Sequence, residues 1–259
     1  MKTVTELRAR HGFELRRDAD VLLADLLGRS VAYVHAHGEL EIDENTFEAL
    51  LRRRMAGEPL QYIRGRADFY GREFLVDDRV LIPRPETELL VEEALRRLPR
   101  GARVLDVGAG SGCVSVTLAL ERPDLRIFAI DISPAALAVA RRNGQRLGAS
   151  VRLAASDVLD SVRGRFDAIV SNPPYIAAGD VPSLQTEVRA HEPHSALTPG
   201  SRGTEVIERL FAAPLVLMEI GFGQEALVRA IAEERRYRID AIVSDLAAIP
   251  RVVVSSPAP

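Results

Sequence analysis

Between residues 103 and 234, short apolar segments alternate with segments of helical periodicity, and no other feature of the sequence constrains the fold as much. Five of the apolar segments are predicted to be strands, at 103–107, 126–130, 151–155, 166–171 and 215–220. Repeated strand–helix units place parallel strands in one sheet with helices on both faces. Two final candidates, 237–244 and 251–255, lack a long helix between them and are expected to form an antiparallel hairpin. The predicted class is α/β.

The segments between these strands carry helix signals. Pro85 at a first helical position, with Glu86 and Glu88 in the first turn, predicts a helix to Leu98, because the helix dipole favours acids at that end. Further helices are predicted from Gly112, over 134–147, near 204–210 and over 224–234.

The apolar residues before residue 103 have a different spacing. Up to about Tyr62 the pattern is helical, with an apolar stripe at 21–27 and an N-cap at Asp43 for a helix to Met55. Alternation around Gly71 then predicts a β-hairpin.

The change of period indicates two domains. We expect a small N-terminal helical domain with a hairpin linker over 1–75, and a second domain over 76–259.

Composition excludes several classes of protein. With 47% hydrophobic and 27% charged residues the chain has an ordinary globular balance, and no apolar run approaches the length of a membrane span. The start of the sequence lacks the apolar core of a signal peptide and the single cysteine cannot form an internal disulfide, so a reducing cytoplasm is expected. A net charge of −3 disfavours binding of a polyanion.

Glycines lie where the strand 103–107 turns into a helix, in the segment Gly108-Ala109-Gly110-Ser111-Gly112. Such a loop lets backbone approach a ligand closely, although a tight turn alone would also use it. The next strand ends in Asp131, about 20 residues after the last glycine, where an acid suits the two hydroxyls of a ribose. Asp131 is alternatively a helix-capping residue beside Ser133.

Acids around the glycine loop indicate which nucleotide-like ligand fits. Asp106 would repel a pyrophosphate but can accept a hydrogen bond from the ammonium group of an amino acid. S-adenosylmethionine carries a ribose and an amino acid without phosphate, and is the predicted cofactor. Asp157 could accept from the adenine amine beside an apolar wall at Val158, or could be a simple turn residue.

The fourth predicted strand is followed directly by Asn172-Pro173-Pro174-Tyr175. Carboxyl ends of parallel strands share one crevice, so this motif should face the glycine loop. The prolines restrict the backbone and leave the Asn172 side-chain oxygen and the Pro173 carbonyl as two fixed acceptors. Two acceptors suit a planar NH₂ group, whose nitrogen becomes positive as it attacks a methyl group, and Tyr175 would form a wall of the pocket. The alternative interpretation, without a role in catalysis, is a turn made rigid by its two prolines.

Taken together, these motifs resemble the HemK (PrmC) family of protein-glutamine N-methyltransferases. The resemblance rests on 106–112, 172–176 and 81–88. Further matches are at 58–63, at 192–193 with 196–197, at 219–221, and at 245–246 with 250–254. It implies a Rossmann-like class I S-adenosylmethionine-dependent methyltransferase fold behind a helical N-terminal domain. It also implies the substrate, the glutamine of the Gly-Gly-Gln motif in class 1 peptide chain release factors, gripped elsewhere by the N-terminal domain.

The resemblance implies roles for individual residues as well. It places the cofactor at 108–112, Asp131, Val158 and Asn172, and the substrate amide at Asn172, Pro173, Pro174 and Tyr175. Arg84, Pro85, Glu86 and Thr87 would line the same crevice. One departure stands out, because roughly eight residues of the family pattern are absent before Leu215.

Two other functions remain open at this point. An amino-group methyltransferase acting on adenine or guanine in nucleic acid uses similar motifs, although the acidic balance counts against it. A regulatory cofactor-binding protein would not need two acceptors beside the methyl group. His191 and His194 are three residues apart but lack further ligands nearby, so no metal site is predicted. Cys113 is interpreted as a small packed residue. The protein is expected to be a monomer.

Overall fold

The computed structural model describes residues 1–9 and 13–259, and these fall into two compact units. The N-terminal unit comprises Met1–Gly65 and Thr186–His191, and the sheet unit comprises Arg66–Gln185 and Glu192–Pro259. The hairpin that the sequence grouped with the N-terminal domain belongs to the sheet unit, so the division falls at Gly65/Arg66 rather than at 75/76.

The N-terminal unit is helical, as the periodicity predicts. Its helices are α1 (Val4–Ala9), α2 (Phe13–Leu27), α3 (Val31–Ala36), α4 (Glu44–Met55) and α5 (Leu60–Arg64), with Thr186–His191 added from later in the chain. Asp43 caps α4 by accepting from Thr46 N at 3.1 Å. Leu22, Leu23 and Phe47 form its core. A short antiparallel pair that the sequence did not predict, β1 (Lys2–Thr3) and β2 (Glu41–Ile42), joins its first residues to the start of α4.

The sheet unit contains a two-stranded hairpin and a seven-stranded sheet. The hairpin is β3 (Arg66–Phe69) and β4 (Arg72–Leu75). The large sheet is formed by β5 (Arg103–Val107), β6 (Arg126–Asp131), β7 (Val151–Ala155), β8 (Ala168–Ser171), β9 (Val216–Glu219), β10 (Tyr237–Ser244) and β11 (Pro250–Pro257). Its helices are α6 (Glu88–Arg97), α7 (Cys113–Glu121), α8 (Pro134–Leu147), α9 (His194–Leu197) and α10 (Glu225–Glu234). The helix Thr186–His191 of the N-terminal unit carries no number.

The strand order is β10-β11-β9-β8-β5-β6-β7. Strands β5 to β9 pair in parallel, while β11 pairs antiparallel with both β9 and β10. The predicted parallel sheet and terminal hairpin are therefore confirmed. The chain runs outward from β5 through β6 to β7 and then returns to β8 on the other side of β5. Ligands of open α/β sheets bind at such a reversal, outside the carboxyl ends of the strands.

The central strands are mainly apolar because both faces of the sheet are covered. Val104, Val170 and Leu217 pack in one core with Leu90 of α6 and Val116 of α7. Their neighbours Leu105, Ile169 and Met218 pack in a second core with Val228 and Ile231 of α10. Because both faces are buried, most positions of these strands are apolar. The buried acids Asp106 and Glu219 are exceptions near the carboxyl ends of β5 and β9.

The connection before β9 differs from the sequence prediction. A helix was expected near 204–210, but the structure has only a 3₁₀ turn at Ile207–Arg209. Few residues are available before β9, and that one turn fully buries Ile207 and Leu210 in the second core. The shortened connection therefore still covers this face of the sheet.

Asn143 of α8 links the hairpin to the glycine loop. Its amide nitrogen donates to the carbonyls of Leu75 and Ser111, both at 2.9 Å, and its Oδ1 accepts from Leu75 N at 2.7 Å. The side chain is completely buried, so these groups have no access to water as an alternative partner.

We expect Asn143→Ala to lower the free energy of unfolding by about 2–4 kcal/mol, because it leaves buried donors and acceptors unpaired. Chemical denaturation monitored by circular dichroism measures the loss. Gln145→Ala, on the exposed side of the same helix, is the matched control and should change stability by less than about 0.5 kcal/mol. Equal effects of the two substitutions would contradict this role of Asn143.

Among the described residues, no helix has both the length and the apolar character needed to span a bilayer.

Candidate active site

A cavity of about 380 Å³ opens at the carboxyl edge of the sheet, at the reversal of strand order. Its wall includes the glycine loop, Asp131, Asp157 and Val158, and Asn172 with Pro174. Residues that the sequence treated as separate motifs therefore meet around one space.

Backbone hydrogen bonds to β6 and positive φ angles define the conformation of the glycine loop. The N–H groups of Gly108 and Ala109 both donate to the carbonyl of Ile130 at 2.9 Å, which fixes the loop against the end of β6. Gly108, Gly110 and Gly112 have φ of +80°, +53° and +80°, a region in which side chains are strained. A Cβ on Gly112 would also lie 3.1 Å from the Ala140 Cβ. Glycine at 112 thus permits the close approach of α7 to α8.

Gly112→Ala should destabilise the protein by about 2–4 kcal/mol, since it combines positive φ with a steric contact. Gly101→Ala isolates the first effect, because Gly101 has φ of +71° and an added Cβ there would have no neighbouring heavy atom within 4 Å. That control should cost about 1 kcal/mol. Thermal unfolding of both variants measures the difference, and equal losses would show that helix approach is unimportant.

Asp131 organises the loop and the start of α8 together. Its carboxylate accepts from Gly110 N at 2.9 Å and from Ser133 N at 2.8 Å. The N-cap of α8 is Ser133, whose side chain accepts from Ala136 N. Burial raises the pKa of Asp131. The acid therefore supports the loop and also lines the cavity.

Asp106 lies beneath the loop and is almost fully buried. Its carboxyl group accepts from Ser115 N at 3.1 Å. Burial raises the pKa of this carboxyl group to about 7, and the charge of Asp131 adds to that rise. The hydrogen bond that Asp106 accepts comes from an uncharged backbone N–H. The carboxyl group can therefore still accept a hydrogen bond from a cationic group bound in the cavity.

Asp157 has a cationic partner that the sequence analysis did not find. Arg209 donates to Asp157 Oδ1 at 2.8 Å, to the Asp157 carbonyl at 2.9 Å and to Asp160 at 2.7 Å. Val158 is buried with a positive φ of +44°. Arg209 thus clamps the turn that carries Asp157 and Val158 at the cavity wall, and the predicted adenine acceptor is already engaged in an ion pair.

Asn172 is held by a chain of buried polar side chains. Its Nδ2 donates to Thr87 Oγ1 at 3.0 Å, and the Thr87 hydroxyl donates to Glu219 Oε2 at 2.6 Å. The Tyr175 hydroxyl is 3.4 Å from Glu219 Oε1. Asn172 and Pro174 belong to the cavity wall, whereas Pro173 and Tyr175 do not.

The segment before α6 joins the site through a second buried acid. Arg84 donates to Glu192 Oε1, and Glu192 Oε2 accepts from Ile82 N at 3.4 Å. Arg84 and Thr87 line the cavity, but Pro85 and Glu86 do not. Two of the four residues expected along this crevice thus lie on the cavity wall.

Sequence reasoning gave no role to several residues that build the site. Glu192 and Glu219 were noted only as parts of family motifs, and Arg209 and Asn143 were not considered. The available signal was weak, namely an acid at the end of an apolar strand for Glu219. The partners of all four lie far away in sequence.

The two histidines that the sequence analysis singled out lie in different units. His191 lies in the N-terminal unit and His194 in the sheet unit. In the part of the chain that the structure describes, no three His, Cys, Asp or Glu side chains are grouped as metal ligands. Burial raises the pKa of the Cys113 thiol to about 12, which keeps it protonated and unreactive.

Comparison with known proteins identifies the family. Residues 85–240 match the methyltransferase small domain, and residues 2–65 match the PrmC N-terminal domain. A release factor glutamine methyltransferase of Koribacter versatilis is 44% identical over 256 residues, which covers 92% of this chain and 90% of that protein. The chain belongs to the release factor glutamine methyltransferase family. The Escherichia coli relative of that name is 39% identical over 83% of this chain and 82% of its own length.

Solved structures agree on the fold. A methyltransferase from Pyrococcus furiosus has a TM-score of 0.52 at 17% identity, covering 84% of this chain and all of the other. The Rossmann-like methyltransferase fold predicted from the sequence is thus confirmed. The resemblance to the HemK (PrmC) family, the assignment as a methyltransferase and S-adenosylmethionine as its cofactor are confirmed as well.

Proposed function

We propose that this protein transfers the methyl group of S-adenosylmethionine to the side-chain amide nitrogen of the glutamine in the Gly-Gly-Gln motif of class 1 peptide chain release factors. The observation that carries the proposal is the position of Asn172, on the wall of the cavity that the glycine loop also lines. Relatives named for this activity match nearly the whole chain, including the N-terminal domain.

The polar and apolar groups on the cavity wall match the parts of S-adenosylmethionine. The Asp106 carboxyl is buried beside the neutral donor Ser115 N, which suits the ammonium of the methionine part. Asp131 lies at the end of β6, where ribose hydroxyls are bound in this type of fold. The turn at Asp157 and Val158 supplies the adenine side. When bound, S-adenosylmethionine supplies an electrophilic methyl group on a sulfonium.

Asn172, which lies on the cavity wall, and the carbonyl of the next residue, Pro173, would hold the substrate amide. The Asn172 side-chain oxygen and the Pro173 carbonyl accept its two N–H groups, which stabilises the positive charge that develops on nitrogen during attack. Fixed acceptors also orient the nitrogen toward the methyl group. The methylated nitrogen is acidic enough to lose its proton to solvent, so no strong base is needed.

The remaining assignments belong to the same proposal. The N-terminal unit binds the release factor outside its Gly-Gly-Gln loop, which is supported by the match of residues 2–65 to the PrmC N-terminal domain. The enzyme acts in the cytoplasm as a monomer and holds neither nucleic acid nor membrane. Its net charge of −3 supports the absence of a polyanionic partner.

Mass spectrometry of a class 1 release factor incubated with the enzyme and S-adenosylmethionine tests this function. We expect one added methyl group on the Gly-Gly-Gln glutamine. A release factor in which that glutamine is replaced by asparagine is the matched substrate and should stay unmodified. Methylation of nucleic acid instead, or none on the release factor by folded enzyme that binds the cofactor, would overturn the proposal.

A further inference from the structure

An asparagine side chain can face a ligand in two ways of nearly the same shape. One presents an oxygen that accepts hydrogen bonds, and the other presents an NH₂ group that donates them. Only the first orientation of Asn172 can hold the NH₂ group of a substrate amide. The orientation must therefore be set by the partner on the protein side.

That partner is Thr87, whose hydroxyl has one hydrogen to donate. Thr87 Oγ1 is 2.6 Å from Glu219 Oε2 and 3.0 Å from Asn172 Nδ2. An ionised carboxylate only accepts, so the hydroxyl hydrogen points to Glu219. The hydroxyl oxygen is then left to accept, and Asn172 must present its NH₂ group to it. Its oxygen is turned the other way.

We propose that Thr87 and Glu219 are positioning residues that fix the Asn172 side chain with its oxygen toward the substrate amide. This inference rests on the proposed function, in which Asn172 accepts from that amide. Both residues are buried, with 2% of each exposed, so water cannot take the place of either partner.

The ionisation of Glu219 controls the direction of this chain. A protonated Glu219 would donate to Thr87, and Thr87 would then donate to Asn172. The amide would have to rotate its oxygen toward Thr87, and the acceptor for substrate would be lost. Asn172 is thus expected to lose its working orientation as the pH falls through the pKa of Glu219.

Several groups face Glu219 and set that pKa. The hydroxyls of Thr87 and Tyr175 and the charge of Arg251 favour the carboxylate, while Glu86 opposes it. Arg251 of β11 is itself paired with Asp245 at 2.9 Å. The Cys113 thiol of α7 also lies in the field of Glu219 and is protonated. Burial is the largest influence and raises the pKa of Glu219 to about 7.

Nuclear magnetic resonance tests the orientation without any substrate. The chain has three asparagines, Asn45, Asn143 and Asn172, so ¹⁵N-asparagine labelling gives only three side-chain NH₂ pairs. We expect the Asn172 pair to titrate with a midpoint near the pKa of about 7 of Glu219. Glu219→Gln should abolish that titration, and Thr87→Val should shift the pair and speed its hydrogen exchange. An Asn172 pair that behaves identically in all three proteins would overturn the proposal.

Kinetics at saturating cofactor provide the functional test. Thr87→Val removes the hydroxyl at nearly constant volume and should lower kcat by about 10–100-fold, with little change in cofactor affinity. It leaves Glu219 and Asn172 without this buried partner, so the thermal midpoint should fall by several degrees and kcat is measured well below that midpoint. Thr87→Ser restores the hydroxyl and should recover most of kcat. Glu219→Gln should flatten the acid limb of the kcat profile. A Thr87→Val enzyme within about 2-fold of the original kcat would overturn the positioning role.

The two proposals fail in distinguishable ways. If the unsubstituted enzyme methylates no release factor, the proposed function fails, while the resonance experiment still decides how Asn172 is oriented. If it methylates release factor but the Asn172 pair ignores Glu219 and Thr87, only the positioning role fails.

Discussion

Asn172→Ala is expected to lower kcat/KM for glutamine methylation by at least about 10³-fold, because it removes an acceptor that stabilises the charge developing on the attacking nitrogen. Cofactor affinity should fall far less, since Asp106, Asp131 and the glycine loop remain. Quantitative mass spectrometry of a release factor gives the rate, and calorimetric titration gives the affinity. The effect should appear mainly in kcat.

Gln145→Ala serves as the matched control, because Gln145 is exposed on α8 of the sheet unit and does not line the cavity. It should leave the methylation rate unchanged. Asn172→Asp is the sharper comparison, since it keeps an oxygen but loses the NH₂ group that donates to Thr87. A residual rate above about one tenth of the original in Asn172→Ala would exclude Asn172 from the transition state.

Asp106→Asn is expected to stabilise the protein above neutral pH while weakening cofactor binding. The folded pKa of about 7 lies above the ordinary value of 3.8 for an aspartate, so the folded state binds the extra proton between these values. Stability contributed by this group is therefore present at low pH and lost as pH rises toward 7. Removing the charge should raise the free energy of unfolding by about 2–4 kcal/mol near pH 8.

The same substitution removes the counter-charge for the ammonium of the cofactor and should weaken its binding by about 100-fold. Denaturation at about pH 5 and about pH 8 measures the first effect, and calorimetry measures the second. Asp180→Asn, on an exposed turn, should change neither quantity. Glu219 has a raised pKa too, so some pH dependence of the same sign will persist. Lower stability of Asp106→Asn near pH 8 would contradict the pKa argument.

The parts of the site that follow one another in the chain could be predicted from the sequence. The glycine loop and the Asn172–Tyr175 motif each follow an apolar strand directly, and parallel strands bring their carboxyl ends to one edge. The pattern of apolar residues locates those strands. For this reason the five parallel strands and the final hairpin were predicted correctly.

The parts that depend on distant pairing could not be predicted. Arg209 meets Asp157 across 52 positions, and Thr87 meets Glu219 across 132. No local period carries such a pairing, because it depends on how the strands are ordered in the sheet. The missing helix at 204–210 has a different cause, since few residues are available before β9 and a single 3₁₀ turn already buries Ile207 and Leu210.

Because the N-terminal unit includes the distant segment Thr186–His191, it cannot be exchanged between proteins as one continuous piece of sequence. The chain passes between the units at Gly65/Arg66, Gln185/Thr186 and His191/Glu192, and Arg54 pairs with Glu187 at 2.7 Å within the N-terminal unit. A domain joined by one linker can be gained, lost or exchanged as a cassette. Here an exchange of residues 1–65 alone would leave a short helix without its own partners, so recombination between relatives should succeed only when both segments are transferred together.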